Sequence, residues 1–144
     1  VKSAGRIAQG VIGIRLDKDD YVVGMEPIYS DKGYLLAITE HGFGKRTELS
    51  EYRVQTRAGK GVITYKTTPK TGKVVGIKVV NDNDEIMLIT DNGIIIRLEV
   101  ENISILGRST QGVTLMRTND GGKVTSIAMV TSEDEIAETE EEKQ

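Results

Sequence analysis

Basic residues recur along this chain every 51 residues, beside glycines that recur with them. The three copies read Gly-Arg-Ile-Ala-Gln-Gly-Val at 5–11, Thr-Arg-Ala-Gly-Lys-Gly-Val at 56–62 and Gly-Arg-Ser-Thr-Gln-Gly-Val at 107–113. Arg6, Arg57 and Arg108 form one column, Gly10, Gly61 and Gly112 a second, and Arg15, Lys66 and Arg117 a third. Cations displayed once per unit suit a polyanion whose own charges repeat, because Lys and Arg meet phosphates wherever they fall along a path. Glycine adds backbone that an anion can approach closely. Arg57 and Lys60 straddle Ala58-Gly59, while Lys45, Arg46 and Arg53 lie near in sequence, and Arg46 recurs as Arg97. The same columns also fit a plainer role: a repeated loop Arg can clamp carbonyls of the neighbouring unit, and strand-end cations can simply be solvated.

Other chemistries find no purchase. The single histidine, His41, sits in a turn pattern, and the chain has no Cys, which excludes disulfides, thiolate nucleophiles and Cys-ligated zinc. Asp17-Lys18-Asp19-Asp20 and Asp82-Asn83-Asp84-Glu85 lack the glycine and glutamate that an EF-hand loop needs, so they read as solvated turns. Ala58-Gly59-Lys60-Gly61 lacks the earlier Gly and following Ser or Thr of a P-loop. Aromatic residues make up 4% of the chain, with one Phe and no Trp, too few for a base-stacking groove along a single strand. No catalysis, no metal and no small-molecule substrate are expected.

Positioning these residues falls to short strands. Leu35-Leu36-Ala37-Ile38-Thr39-Glu40-His41-Gly42 aligns at the same interval with Ile86-Met87-Leu88-Ile89-Thr90-Asp91-Asn92-Gly93. Val22-Val23-Gly24-Met25 matches Val74-Val75-Gly76-Ile77 with a slip of one residue, and Val124-Thr125-Ser126-Ile127 more loosely. Within the middle unit, four strands are predicted at about 61–66, 73–80, 85–90 and 94–100, rich in Val, Ile and Thr and bounded by turn formers. Asp91-Asn92-Gly93 predicts a tight hairpin, since Asn and Gly accept positive φ, and Glu40-His41-Gly42 holds the equivalent place. Along the fourth strand Ile94, Ile96, Leu98 and Val100 share the apolar phase, which puts Arg97, and Arg46 with it, on the wetter face. Lys45 aligns with Ile96 and falls in the apolar phase.

The expected fold is all-β: propeller-like blades of four antiparallel strands, about two and a half 51-residue repeats, forming an incomplete ring. At 144 residues and 38% hydrophobic content the chain suits one ordinary core, and no run of about 18 apolar residues exists to span a bilayer. Its start, Val-Lys-Ser-Ala-Gly-Arg, holds neither an initiator Met nor a signal-peptide apolar stretch, and the chain reads as a piece of something longer. The formal charge of −3 is asymmetric, for residues 132–144 carry seven acidic residues against Lys143 and leave residues 1–131 at +3. A mildly basic body, 1–131, followed by an acidic, disordered tail, 132–144, suggests a polyanion-binding surface with a competing polyanion attached, or a tail that only aids solubility.

Gly42-Phe43-Gly44-Lys45-Arg46-Thr47, the run Tyr52–Gly61 and Gly107–Val113 together resemble the C-terminal domain of the A subunit of bacterial DNA gyrase, a β-pinwheel that wraps duplex DNA. The resemblance covers residues 1 to about 131, and the acidic tail is typical of that family. The family's signature box, Gln-Arg-Arg-Gly-Gly-Lys-Gly, belongs to the first blade; Gln55–Gly61 agrees at five of seven positions and is similar to its echo in a later blade. The resemblance therefore implies the last blades of the domain, without the element that closes the wrap. It implies double-stranded DNA as the partner, bound without sequence preference through Lys45, Arg46, Arg53, Arg57, Lys60, Arg97, Arg108 and Arg6. It further implies assembly with the remainder of the gyrase A polypeptide and with the B polypeptide in an A2B2 complex, cytoplasmic and nucleoid-associated. That complex is an ATP-dependent type II topoisomerase, whose ATP, magnesium and Arg-Tyr strand-cleaving pair act in other parts. Alternatives are the corresponding domain of topoisomerase IV and a propeller-like scaffold for protein interaction.

Overall fold

The computed structural model describes residues 2–118 and 121–130; the acidic tail, 132–144, lies outside the described residues. Seven strands are described: β1 (Tyr34–Thr39), β2 (Phe43–Glu48), β3 (Val74–Val80), β4 (Glu85–Thr90), β5 (Ile95–Glu99), β6 (Val113–Thr114) and β7 (Val124–Met129). One sheet has the order β3-β1-β2-β6 and the other β5-β4-β7, with every ladder antiparallel. The fold is thus all-β, with four antiparallel strands in the complete blade. Short 3-10 turns, Leu49–Glu51 and Val100–Asn102, follow β2 and β5 at the same interval as the strands.

Both expected hairpins form. Gly42 and Gly93 adopt φ of 81° and 83°, and each donates its N–H back to a threonine carbonyl, Thr39 and Thr90. Only a residue without a Cβ takes that conformation without strain.

The grouping of strands departs from the expected one. A blade is assembled across units: β3 follows the second box but pairs with β1 of the unit before, from Tyr34↔Val80 to Thr39↔Val74. In the same way β7 pairs with β4 and not with a strand of its own unit. The outer edge of β2 takes β6, which lies beyond the third box, through Phe43↔Thr114 and Gly44↔Val113. The predicted strand at 61–66 does not form; that segment carries no regular secondary structure, and Lys66 N–H donates to Thr110 O at 3.0 Å. The turn Asn81–Asp84 lets the chain leave one blade and enter the next, closed by Asp84 N–H on Asn81 O and Asn81 N–H on the Asp84 carboxylate.

The core lies between the two sheets and joins Leu36, Ile38 and Val80 of the first with Ile86, Leu88 and Val124 of the second, all at most 1% exposed. Alternation fixes which face does this. Leu36 pairs with Arg46 across the first sheet, so that side chain shares the core-facing side, whereas Ala37 pairs with Lys45 on the opposite side. In the second sheet the core face carries Ile86, Leu88, Ile96 and Leu98. Adjacent blades therefore meet unlike face to unlike face. They interlock at glycine, for a Cβ on Gly24, which lies in no strand, would be 3.4 Å from Ile77 of β3, and one on Gly76 of β3 would be 2.9 Å from Ile127 of β7.

Candidate nucleic-acid interface

The eight predicted cations divide into two populations. Lys45 and Arg46 are buried, at 0% and 6% exposure, which removes them from any surface that DNA could reach and corrects the sequence expectation for both. The ammonium of Lys45 donates to Gly107 O (2.7 Å), Arg108 O (2.8 Å), Thr110 O and Thr110 Oγ1 (both 3.0 Å), and it lies 4.8 Å from the centre of the Tyr65 ring. Burial pulls its pKa down to about 8, with the nearby charge of Glu51 opposing. Burial also lifts the Tyr65 hydroxyl to about 12, and that hydroxyl donates to Gln111 O at 2.6 Å.

Arg46 is a second seam clamp. Its Nε donates to Ile103 O at 2.6 Å and its Nη2 to Glu101 O at 3.0 Å; Nη1 pairs with Asp82, and the guanidinium lies 4.6 Å from the Tyr34 ring centre. Arg46 and Arg97 do share one face of their blades, but the expectation that this face is the wetter one fails for Arg46, which is 6% exposed. What alternation along one strand does not carry is whether another sheet covers the face. The second blade covers Arg46, while Arg97 stays on an exposed face and pairs with Glu85.

The remaining five line loops. Arg6, Arg53, Arg57 and Lys60 are exposed and Arg108 is half-buried. Among the described residues Arg6, Arg53 and Arg57 have no hydrogen-bond or ion-pair partner. Lys60 touches Asp17 at 3.4 Å, an exposed pair that a phosphate could replace at little cost. Arg108 Nη1 reaches Ile63 O at 3.3 Å, leaving the rest of its donor fork open. Arg53 stands apart from the box, in a wall shared with Ile28, Tyr29, Leu49 and Tyr52.

Repeated packing places the boxes. In the second box, Ala58 N–H donates to Gly13 O and Gly59 O accepts from Arg15 N–H at 2.9 Å, while Arg15 Nε donates to Ala58 O. In the third box, Thr110 O accepts from Lys66 N–H at 3.0 Å. The bonds Arg15–Gly59 and Lys66–Thr110 are one contact, 51 residues apart. Each box therefore docks on the segment that follows the preceding box, bringing Arg57 and Lys60 near Arg15, and Arg108 near Lys66. Positive φ at Gly61 and Gly112, 87° and 72°, closes both loops, and Ala58 at 61° tightens the second. Sequence reasoning gave Arg15 and Lys66 only as strand ends; their recurrence four residues after the box valine was the available signal. His41 is a turn residue, its Nδ1 3.1 Å from Lys70 O.

A family model described as the DNA gyrase C-terminal domain, a β-propeller, matches residues 1–28, 33–81 and 84–131, close to one stretch per repeat. Among curated relatives, the DNA gyrase A subunit of Staphylococcus epidermidis is 43% identical over 136 residues, covering 94% of this chain and 15% of that protein. The DNA gyrase A subunit of Salmonella typhimurium is 45% identical over 130 residues, covering 90% of this chain and 15% of that protein. Of the solved structures, the C-terminal domain of DNA topoisomerase IV superposes with a TM-score of 0.79 at 27% identity, covering 94% of this chain and 43% of that one. The DNA gyrase A C-terminal domain gives 0.66 at 28% identity, covering 69% of this chain and 34% of that one. Stacked antiparallel blades, one of four described strands and one of three, with cation-bearing loops thus define a propeller-type repeat module. The chain belongs to the DNA gyrase C-terminal domain family, and it spans about 15% of the length of the curated relatives it matches.

Proposed function

We propose that this chain is a duplex-DNA-wrapping module of a gyrase A polypeptide, binding without sequence preference. The observation that carries the proposal is the repeated docking bond, Arg15–Gly59 and Lys66–Thr110, which presents the cations of successive boxes at equivalent places. The contacting residues are Arg57 and Lys60 with Arg15, then Arg108 with Lys66, with Arg6 and Arg53 as further exposed cations; Arg97 is the weakest member because Glu85 offsets it. Bending a few tens of base pairs costs several kcal/mol on smooth elastic estimates. A single exposed ion pair contributes only about 0–1 kcal/mol, so many loops must act together.

In the parent enzyme, a wrap of fixed hand would present a distant DNA segment to the cleavage gate in one orientation and bias strand passage towards negative supercoils. Cleavage, ATP and magnesium belong to other parts of the A2B2 complex, and this chain contributes no catalytic residue. The setting is the nucleoid, in the cytoplasm. Duplex affinity measured against salt tests the proposal: log K should fall with log salt by about 0.9 for each phosphate neutralised. Arg57→Ala and Lys60→Ala should each flatten that slope without altering stability. A flat response in the unsubstituted chain overturns the DNA function and favours a protein-interaction scaffold.

The superposition on a topoisomerase IV domain over 94% of the chain supports a second reading, in which the parent relaxes or unlinks DNA. Supercoiling of relaxed plasmid by the intact parent separates the two.

A further inference from the structure

We propose that Lys45, which no DNA can touch, is a positioning residue for DNA binding: its buried ammonium turns the third box loop so that a row of backbone N–H groups and Arg108 face one phosphate. The inference rests on the DNA-binding function proposed above and adds to it a named anion subsite and the group that shapes it.

The geometry follows from peptide planarity. Four carbonyls of the loop are drawn inward: those of Gly107, Arg108 and Thr110 to the Lys45 ammonium, and that of Gln111 to the Tyr65 hydroxyl. Thr110 Oγ1 adds a bond to Gly107 O, and Lys66 N–H a second bond to Thr110 O. No peptide bond of the described chain is cis. In a trans peptide the N–H points opposite to the C=O. The partners of those four carbonyls are the N–H groups of Arg108, Ser109, Gln111 and Gly112, which therefore point away from the buried side. None of the four has an acceptor among the described residues, so each must find its partner outside the described chain, in solvent or in a bound anion. Successive outward amides in a short loop form an anion-binding concavity, and Arg108 brings a full charge to its rim.

Lys45 is suited to this because a primary ammonium has three hydrogens and no acceptor, so it gathers only oxygen acceptors, here three carbonyls and the Thr110 hydroxyl. An uncharged side chain of the same length would leave Arg108 O without a donor and Gly107 O and Thr110 O with one bond each, so that the loop could turn carbonyls outward, where they would repel phosphate. In the following unit the equivalent position is Ile96, so the device is not repeated with every blade.

The test uses duplex DNA and the intact chain, with backbone amide shifts followed by NMR and affinity followed against salt. In the unsubstituted chain the amides of Arg108, Ser109, Gln111 and Gly112 should shift on adding DNA at low salt, and in Lys45→Met they should not. The log–log salt slope of Lys45→Met should be shallower by about 0.9, the loss of one phosphate contact by a residue that makes none itself. A purely structural role would lower the unfolding midpoint and leave the slope of the folded protein unchanged. Equal slopes, or silent amides at 108–112 while DNA still binds, overturn the inference and leave the DNA function standing. If the variant does not fold, the amide titration of the unsubstituted chain decides alone. Absence of salt-dependent binding in the unsubstituted chain removes the DNA function itself, a different outcome.

Discussion

Replacing Arg46 separates the two roles open to a repeated cation. Arg46→Ala removes charge-assisted bonds to Ile103 O and Glu101 O and leaves the first carbonyl, in a residue 2% exposed, without a donor. Each such bond contributes about 1.5–3 kcal/mol, and the face of Tyr34 about 1 kcal/mol more. The pair with Asp82 adds little, because that carboxylate is 60% exposed and rehydrates when freed. Together these give a loss of about 4–7 kcal/mol, a large part of the 5–15 kcal/mol that holds a domain. Arg46→Lys should lose at least about 1–2 kcal/mol, since an ammonium cannot span both carbonyls. Urea denaturation followed by circular dichroism measures both losses, and duplex affinity against salt is then read below the unfolding transition. The expected outcome is a lower midpoint at an unchanged salt slope. An unchanged midpoint with a slope flatter by about 0.9 would make Arg46 a phosphate ligand and refute the seam assignment.

Gly112→Ala should cost about 3 kcal/mol or more, because its Cβ would lie 2.3 Å from the Tyr65 hydroxyl and 2.6 Å from Gly44 O at φ +72°; Gly93→Ala, at φ +83° in open space, should cost only about 1–2 kcal/mol. Equal denaturation midpoints for the two variants would show that the close packing contributes nothing. Lys45 should titrate with a midpoint of about 8 by side-chain NMR, with Glu51 and Tyr65 as its charged and titratable neighbours. Since that is below the ordinary 10.5, the unfolded chain binds more protons between about pH 8 and 10.5, and this group adds stability as pH rises through that window. The gain should be missing in Lys45→Met, and a midpoint near 10.5 would show that burial does not act on the ammonium. Deleting 132–144 should tighten DNA binding if the acidic tail competes for the cations, and an unchanged affinity would leave it a solubility role.

The sequence made the period, the hairpins and the alternation legible, because each depends on residues close together in the chain. Gly42 and Gly93 announced their turns through the positive φ that only glycine takes freely, and Ile96 and Leu98 their face through spacing alone. Pairing was not legible. Val74–Val80 is followed by a four-residue turn and then Glu85–Thr90, which read as neighbours, yet β3 joins β1 and leaves β4 to β7. Period-two patterning says which side of a strand is apolar and is silent about which strand lies beside it. Lys45 and Arg46 were misplaced for a related reason: a charge on a strand is expected in water unless partners meet it, and here they come from 101–110, more than fifty residues downstream.

Exchange of strands between units also explains why a cation-bearing loop can repeat accurately in space. If each unit folded its four strands together, a box could shift relative to its neighbours whenever a linker relaxed. Here the third box is tied to the first unit through Lys45 and β2–β6, and to the second through Tyr65 and Lys66. A displacement of that loop must therefore break contacts to two other units at once. Curved DNA fixes the distance between successive phosphates that a rim can reach, so cations on independently mobile blades would give up much of their joint binding to ordering entropy. Under the DNA-binding function proposed above, the buried ammonium and guanidinium groups at the seams would serve the exposed ones at the loops by keeping them in register. On this basis, mutations of Lys45 or Arg46 should weaken wrapping of long duplex more than binding of a short one, where register between boxes does not matter.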